Sequence, residues 1–513
     1  MDKNSKLHFK WALQSEVFIV FVFLFTKIIL ALFPVQYGIF RDEFYYLAMS
    51  SHLDFGYVDV PPLAPLLLAL MRFVFVDSSF TLHLLPAICG AAFLYVSYKL
   101  VKTLGGNKYS RILVMSIVLF APYFTAIDSV YTYDTFNKFF WLLCSYWMVR
   151  LLQTEDSRYW LLVGITVGLG LLFKITIISL IFSWFVGLLL TSKRRLLLKK
   201  EMFFGVFLTL LLVSPYLFWQ IQHQFITFEY MGNYSNKITE FSFLTYIAEQ
   251  NINLNPIVLP LWAGGLYYFL FGPQYRLYQS AGLTYISLLM VSFFMKGKAD
   301  FIMPYYVVLL AGGCIWLEGI LKKECYYYVR PVFLSLVLFS GICLLPMARP
   351  ILPVDTFIRY YGEASTKDNA ERKVLAHLPQ FYADRFGWEE MANKVAHIYY
   401  ALPASEQQKV CVLTRNYGEA GAVNYYEEKQ HLPLRAVSGH NQYYIWGPGN
   451  YDGEIVIAIG FTEEDLQKLY RQVEEVETLN NSYMMPYELA HGIYLCRSPF
   501  VSFQNMSWFK WLN

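Results

Sequence analysis

The chain has 513 residues, 56% of them hydrophobic and 15% charged, with a mean hydropathy of +0.38 and a net charge of +3. Soluble domains carry about 25% charged residues, so this composition excludes an ordinary soluble protein, and the near-neutral balance gives no reason to expect a nucleic-acid partner. The seven cysteines form no CxxC pair, so neither a zinc site nor a redox motif is indicated.

Residues 13–34 form the first long apolar run. They are too long for the core of a signal peptide and lack a small-residue cleavage site, so an uncleaved first transmembrane helix is expected. Residues 37–65 follow, YGIFRDEFYYLAMSSHLDFGYVDVPPLAP, with Asp42, Glu43, Asp54 and Asp59 among Tyr45, Tyr46 and Tyr57. A loop that only joins two helices has no need of so many carboxylates at a bilayer edge. Carboxylates drawn out of water titrate high unless they are paired or hydrogen-bonded, which suits general-base chemistry. The plain alternative is a solvated loop lying on the membrane. Residues 62–76 are apolar but short, and are expected to form an interfacial or re-entrant helix.

Further apolar runs fall near 80–100, 111–128, 135–152, 159–173, 175–192, 202–219, 256–271, 279–295, 301–320 and 331–346, so eleven spans are expected. Lys and Arg in short loops set the orientation. With the N-terminus in the cytoplasm, that side receives Lys3, Lys6, Lys10, Lys99, Lys102, Lys108, Arg111, the Lys193–Lys200 cluster, Lys322, Lys323 and Arg330. The opposite side receives few basic residues, Arg41, Arg72, Lys138, Lys174, Lys237, Lys296 and Lys298, and nearly all the acids, among them Asp42, Glu43, Asp54, Asp59, Asp128, Asp134 and Asp300. An odd count of spans leaves the C-terminal part outside.

On that outer face, Asp128 reads as a helix cap and Asp134 as the stronger site residue. Lys174, with apolar neighbours on both sides, has little room to snorkel, whereas Lys296 reads as a snorkelling lysine. His52 and His83 are isolated and read as structural. Residues 220–255 are polar and aromatic, and suit either a groove border or a passive loop. Carboxylates suit a base that takes a proton from a hydroxyl or amine, and lysines suit a lipid phosphate.

From about residue 347 the apolar runs shorten. KVCVLTRN (409–416) and GEIVIAIG (453–460) predict buried strands, 418–429 and 462–471 predict helices, and 473–478 and 492–497 predict later strands. This is an extracytoplasmic α/β domain, 347–513, beside a transmembrane part, 1–346, whose first outer loop is 35–79. Cys411 and Cys496 fall in this domain, and a disulfide between them is not expected. No internal repeat is visible across the spans.

RDEFYYLAMSSHLDFGYVDVPPL (41–63) closely resembles the first outer loop of bacterial family-39 glycosyltransferases, the GT-C-fold relatives of protein O-mannosyltransferases and aminoarabinose transferases. Further matches run in order: LGGNKYSR (104–111), SVYTYDTF (129–136), GLGLLFKIT (168–176), SPYLFWQIQHQFITFEY (214–230), NPIVLPLWAGGLYY (255–268) and GKADFIMPYYVVLLAGG (297–313). RNYGEAGAVNYY (415–426) and SGHNQYYIWGP (438–448) resemble the extracytoplasmic domain of one bacterial branch.

The resemblance implies a polytopic GT-C enzyme of the bacterial cytoplasmic membrane that moves a sugar, with inversion, from a polyprenyl-phosphate donor to a glycan, lipid or protein acceptor on the extracytoplasmic side. Asp42 matches the catalytic acid and Glu43 its neighbour. Asp134 matches a second acidic position, and Lys174 and Lys298 match basic positions near the lipid phosphate. Asp59, Tyr45 and Tyr46 are expected at the substrate with them. A phosphomonoester leaving group requires no metal or other cofactor on charge grounds. Where aminoarabinose transferases carry Lys before Pro-Pro, and serine/threonine mannosyltransferases His, this chain has Asp59-Val60-Pro61-Pro62. Transfer to lipid A is therefore not implied, and the acceptor stays open. A lipid-linked sugar transporter or flippase, and an oligosaccharide ligase or polymerase with a diphosphate donor, are the alternatives.

Overall fold

The apolar runs fold as helices in the computed structural model, which describes residues 3–33, 37–237, 242–321, 328–362, 377–486 and 492–505. Lys322, Lys323 and Cys325 lie outside these, as do the side chains of Lys3, Lys6, Lys10 and Lys237. Contacts divide the chain into two compact units: 1–34, 76–217 and 240–349 in the first, and 35–75, 218–239 and 350–513 in the second. The last segment of the second unit begins at residue 350, close to where the apolar runs shorten. The first loop, expected to belong with the transmembrane part, folds with the C-terminal domain, because its tyrosines and carboxylates find their partners there.

The first unit is helical. Five described helices are long and apolar enough to cross a membrane: Ser79–Thr103, Lys200–Gln222, Tyr275–Phe294, Met303–Ile320 and Val329–Ala348. A sixth is gained if Phe243–Leu254 and Pro256–Phe271, bent by 105° at Asn255, count as one. The chain is a multi-pass membrane protein, and the outward phenylalanines Phe203, Phe204 and Phe207 of Lys200–Gln222 suit a lipid-facing helix. The expected eleven are not all of spanning length, for physical reasons. Run 111–128 breaks at Pro122 into Lys108–Phe120 and Pro122–Ile127. Runs 159–173 and 175–192 yield the short helices Tyr159–Leu171 and Ile177–Leu189. Tyr133–Thr154 is long but carries Asp134, Lys138 and Arg150. Glycines bring helices together: a Cβ on Gly265 would collide with the Leu309 carbonyl, and one on Gly313 with that of Leu261. Such small residues suit helix contacts that have no water to exclude.

The second unit contains a five-stranded sheet, with β1 (Cys411–Thr414), β2 (Ala436–Ser438), β3 (Ile455–Ile459), β4 (Tyr470–Glu477) and β5 (Ile493–Pro499) in the order β2-β1-β3-β5-β4. β1 pairs in parallel with β2 and β3, and β5 runs antiparallel to β3 and β4. β1 and β3 are buried throughout, as their unbroken apolar runs predict. Helix Tyr417–Gln430 follows β1 as expected. The second expected helix shrinks to Glu463–Gln467, and the strand β2 escaped the sequence reading, being three residues long. Cys411 and Cys496 are both free thiols.

Candidate active site

Helix Arg41–Ser51 begins at Phe40, which has no side chain able to cap it. Glu43 does so instead: its Oε2 accepts from the Phe40 N–H at 2.9 Å, the reach-back half of a capping box. Further support comes from residues 380–388. The Asp384 carbonyl accepts from the Arg41 N–H at 2.9 Å, its carboxylate lies 3.5 Å from the Arg41 guanidinium, and Arg385 stacks over Phe40 and Phe381.

The two neighbouring acids have opposite surroundings. Glu43 is 0% exposed, whereas the Asp42 side chain keeps 34% of its surface. One Asp42 oxygen, Oδ1, accepts from Tyr417 Oη at 2.8 Å and from Arg41 Nε at 3.3 Å. Asp42 alone of the pair is open to a substrate. Glu43, expected to be catalytic beside it, is buried with its Oε2 on the helix start.

Tyr45 and Tyr46 were expected at the substrate, but each is 2% exposed, since both rings are packed inside the unit. Tyr45 stacks on Tyr417 at 4.6 Å. Its hydroxyl donates to Asp59 Oδ1 at 2.8 Å and accepts from the Gln442 N–H at 3.0 Å. Asn441 Nδ2 donates to the other oxygen of Asp59 at 2.9 Å. Asn441 adopts φ +48° and ψ −123°, a conformation that costs a non-glycine residue about 1–3 kcal/mol. Removal from water pushes Asp59 up to about 6, against the pull of its two donors, and Asp42 adds to the rise. Sequence reasoning missed Tyr417, Asn441 and Asp384 as partners. The signal was present in RNYGEAGAVNYY and SGHNQYYIWGP, whose Tyr417, Asn441 and Gln442 meet the loop.

The remaining expected residues lie in the first unit. Lys174 Nζ donates to both oxygens of Asp134, at 2.7 and 2.9 Å, and lies 4.3 Å from the centre of the Tyr133 ring. Both partners keep about a quarter of their side-chain surface, 24% and 22%. Lys298 is exposed, and with Lys174 it acts electrostatically on Asp300, whose carboxyl burial pushes up. Asp128, expected to be a helix cap, is the C-cap residue of Pro122–Ile127, and its carboxylate is buried between Lys27, at 2.7 Å, and Lys138. No group of three His, Cys, Asp or Glu side chains among the described residues is arranged to hold a metal ion.

Residues 59–219 match the family described as dolichyl-phosphate-mannose-protein mannosyltransferase, a stretch that includes Asp59, Asp134 and Lys174. ArnT from Cupriavidus metallidurans bound to undecaprenyl phosphate shares the fold at TM-score 0.57 and 13% identity, over 95% of this chain and 98% of that one. The chain has the GT-C fold of the membrane glycosyltransferases. The apo form of the same ArnT matches at TM-score 0.56 and 12% identity, over 94% and 98% of the two chains. An Archaeoglobus fulgidus oligosaccharyltransferase tethered to an acceptor peptide is 14% identical, with TM-score 0.46, over 82% of this chain and 63% of that one. No curated protein sequence matches the chain. The resemblance seen in the sequence motifs is borne out at the level of the fold.

Proposed function

We propose that the chain is an inverting glycosyltransferase that moves a sugar from a polyprenyl-phosphate donor to a nucleophilic acceptor at the extracytoplasmic face of the bacterial cytoplasmic membrane. The observation that carries this reading is the half-buried Asp42 carboxylate, held through Oδ1 with Oδ2 left for an incoming acceptor. Asp42 takes the acceptor proton as the nucleophile attacks the anomeric carbon, and the lipid phosphate departs with the bonding electrons. General-base help of this kind is worth about 10²–10⁴-fold.

Lys174 and Lys298 are assigned to the donor phosphate, where charge gathers in the transition state. An ammonium has three N–H donors, so the Asp134 contact steers Lys174 and still leaves it able to bind phosphate. Asp134 thereby gains a positioning role beside its assignment to sugar or acceptor hydroxyls. The monophosphate leaving group makes a metal unnecessary on charge grounds.

The test is transfer by the purified protein from undecaprenyl-phosphate-linked mannose, glucose and aminoarabinose, with and without chelator. Turnover of one donor that resists chelation supports the proposal. Donor flipping across vesicles with no transfer would favour a flippase, and turnover only with diphosphate donors plus metal would favour a ligase or polymerase.

A further inference from the structure

The catalytic loop takes its partners from the α/β domain, and one of them touches the open carboxylate. Asn416 and Glu419 form a full capping box at the start of helix Tyr417–Gln430. The Asn416 side chain accepts from the Gly418 and Glu419 N–H groups at 2.8 and 3.0 Å, and Glu419 accepts from the Asn416 N–H at 3.1 Å. Tyr417 is therefore the first residue of a rigid helix start. Its own N–H donates to His440 Nδ1 at 3.2 Å, which fixes the proton of a neutral imidazole on the other nitrogen. Its ring lies between Tyr45, at 4.6 Å, and His440, at 4.9 Å. Gly418 and Gly421 allow the close approach. A Cβ at 421 would sit 2.8 Å from the Phe44 carbonyl, and Gly418 lies against the Arg41 side chain.

We infer that Tyr417 is a positioning residue for the general base: its phenol, held by the domain from three sides, donates to Asp42 Oδ1 and so aims Oδ2 at the acceptor. The inference rests on the reading of Asp42 as the base. Burial and the neighbouring carboxylate keep the phenol protonated and hence a donor. The C-terminal domain thus completes the catalytic loop, and the acceptor it serves is a hydroxyl or amine that surrenders one proton to Asp42. Among the described residues, Arg41 and Tyr417 contact this carboxylate, Asp59 is coupled to it electrostatically, and Tyr230 acts on the Tyr417 phenol.

The test uses the full-length protein in detergent and whichever of the undecaprenyl-phosphate sugars above the wild type turns over. Tyr417→Phe keeps the ring and its stacking but removes the donor. The result expected is a kcat reduced about tenfold or more at unchanged donor KM, with the acid limb of the pH–rate profile moved upward by about one unit, because the lost bond favoured the ionised form. Replacing Tyr417 by 3-fluorotyrosine strengthens the donor and moves that limb downward, so the inference stays falsifiable even where Tyr417→Phe folds poorly. In an Asp42→Asn background, Tyr417→Phe costs nothing further. Equal losses in both backgrounds, or profiles that do not move in either variant, overturn the inference while leaving Asp42 as base. Near-normal turnover of Asp42→Asn alone overturns the reading beneath it, as does the absence of turnover with every donor.

Discussion

Glu43 and Asp42 share a helical turn, yet one is sealed and the other open, so their isosteric amides are expected to differ. Glu43→Gln retains an oxygen for the Phe40 N–H and should lower turnover only a few-fold, read as kcat beside a melting curve. Glu427 is a second sealed acid: it is 1% exposed, neither carboxylate oxygen has a hydrogen-bond partner among the described residues, and burial raises it to about 7 from 4.5. A folded-state pKa above the unfolded one means that the native state holds the extra proton. Stability is full below about 4.5 and falls as pH rises toward 7, by on the order of 3 kcal/mol. Glu427→Gln, which cannot ionise, should therefore melt several degrees above wild type at pH 8 and level with it at pH 4.5. Identical melting-point differences at the two pH values would contradict the assignment. Among the lysines, Lys174→Ala and Lys298→Ala should each weaken donor binding by roughly 1.5–3 kcal/mol if their contacts to phosphate are direct. Lys296, which is exposed with φ +49° at a turn, should tolerate alanine. Donor saturation kinetics of the three variants checks this, and damage confined to Lys296→Ala would refute it.

At the scale of elements, the first loop owes its shape to one helix crossing. Helix Arg41–Ser51 meets helix Tyr417–Gln430 at Gly421, where any Cβ stands 2.8 Å from the Phe44 backbone. Backbone cannot swing aside as a side chain can. Gly421→Val should destabilise the protein by about 1–3 kcal/mol and reduce turnover further by displacing Tyr417 from Asp42. Thermal melting and kcat, measured together, check both effects. The short strand β2 has a related use: the chain after it carries His440 to Tyr417 and Asn441 and Gln442 to the first loop, with Asn441 in its costly conformation. That cost is offset by the Asp59 contact, so Asn441→Gly should leave stability nearly unchanged while freeing Asp59.

For the whole molecule, the basic-residue bias predicts the N-terminus inside and the α/β domain outside. A cysteine placed in Glu463–Gln467 should react with an impermeant thiol probe from the extracytoplasmic side, and labelling only from the cytoplasm would reverse the topology. Much of this architecture was legible in the sequence. Apolar runs marked the helices, the buried strands at 409–416 and 453–460 marked the sheet, and RDEFYY marked the acidic first loop. Span lengths were less legible, since Pro122 and the charges of Tyr133–Thr154 interrupt runs that hydropathy alone reads as continuous. The allegiance of the first loop was not legible. It depends on contacts such as Asp42 with Tyr417 and Asp59 with Asn441, between residues hundreds of positions apart. That Tyr45 and Tyr46, expected at the substrate, are buried was likewise not legible, because no local pattern shows which way a ring in a polar loop turns. The most direct measurement of the central claim is turnover of a polyprenyl-phosphate sugar by Asp42→Asn, with donor binding measured on the same sample. The account predicts a loss of roughly 10²-fold or more with donor binding retained, and turnover near that of the wild type would contradict it.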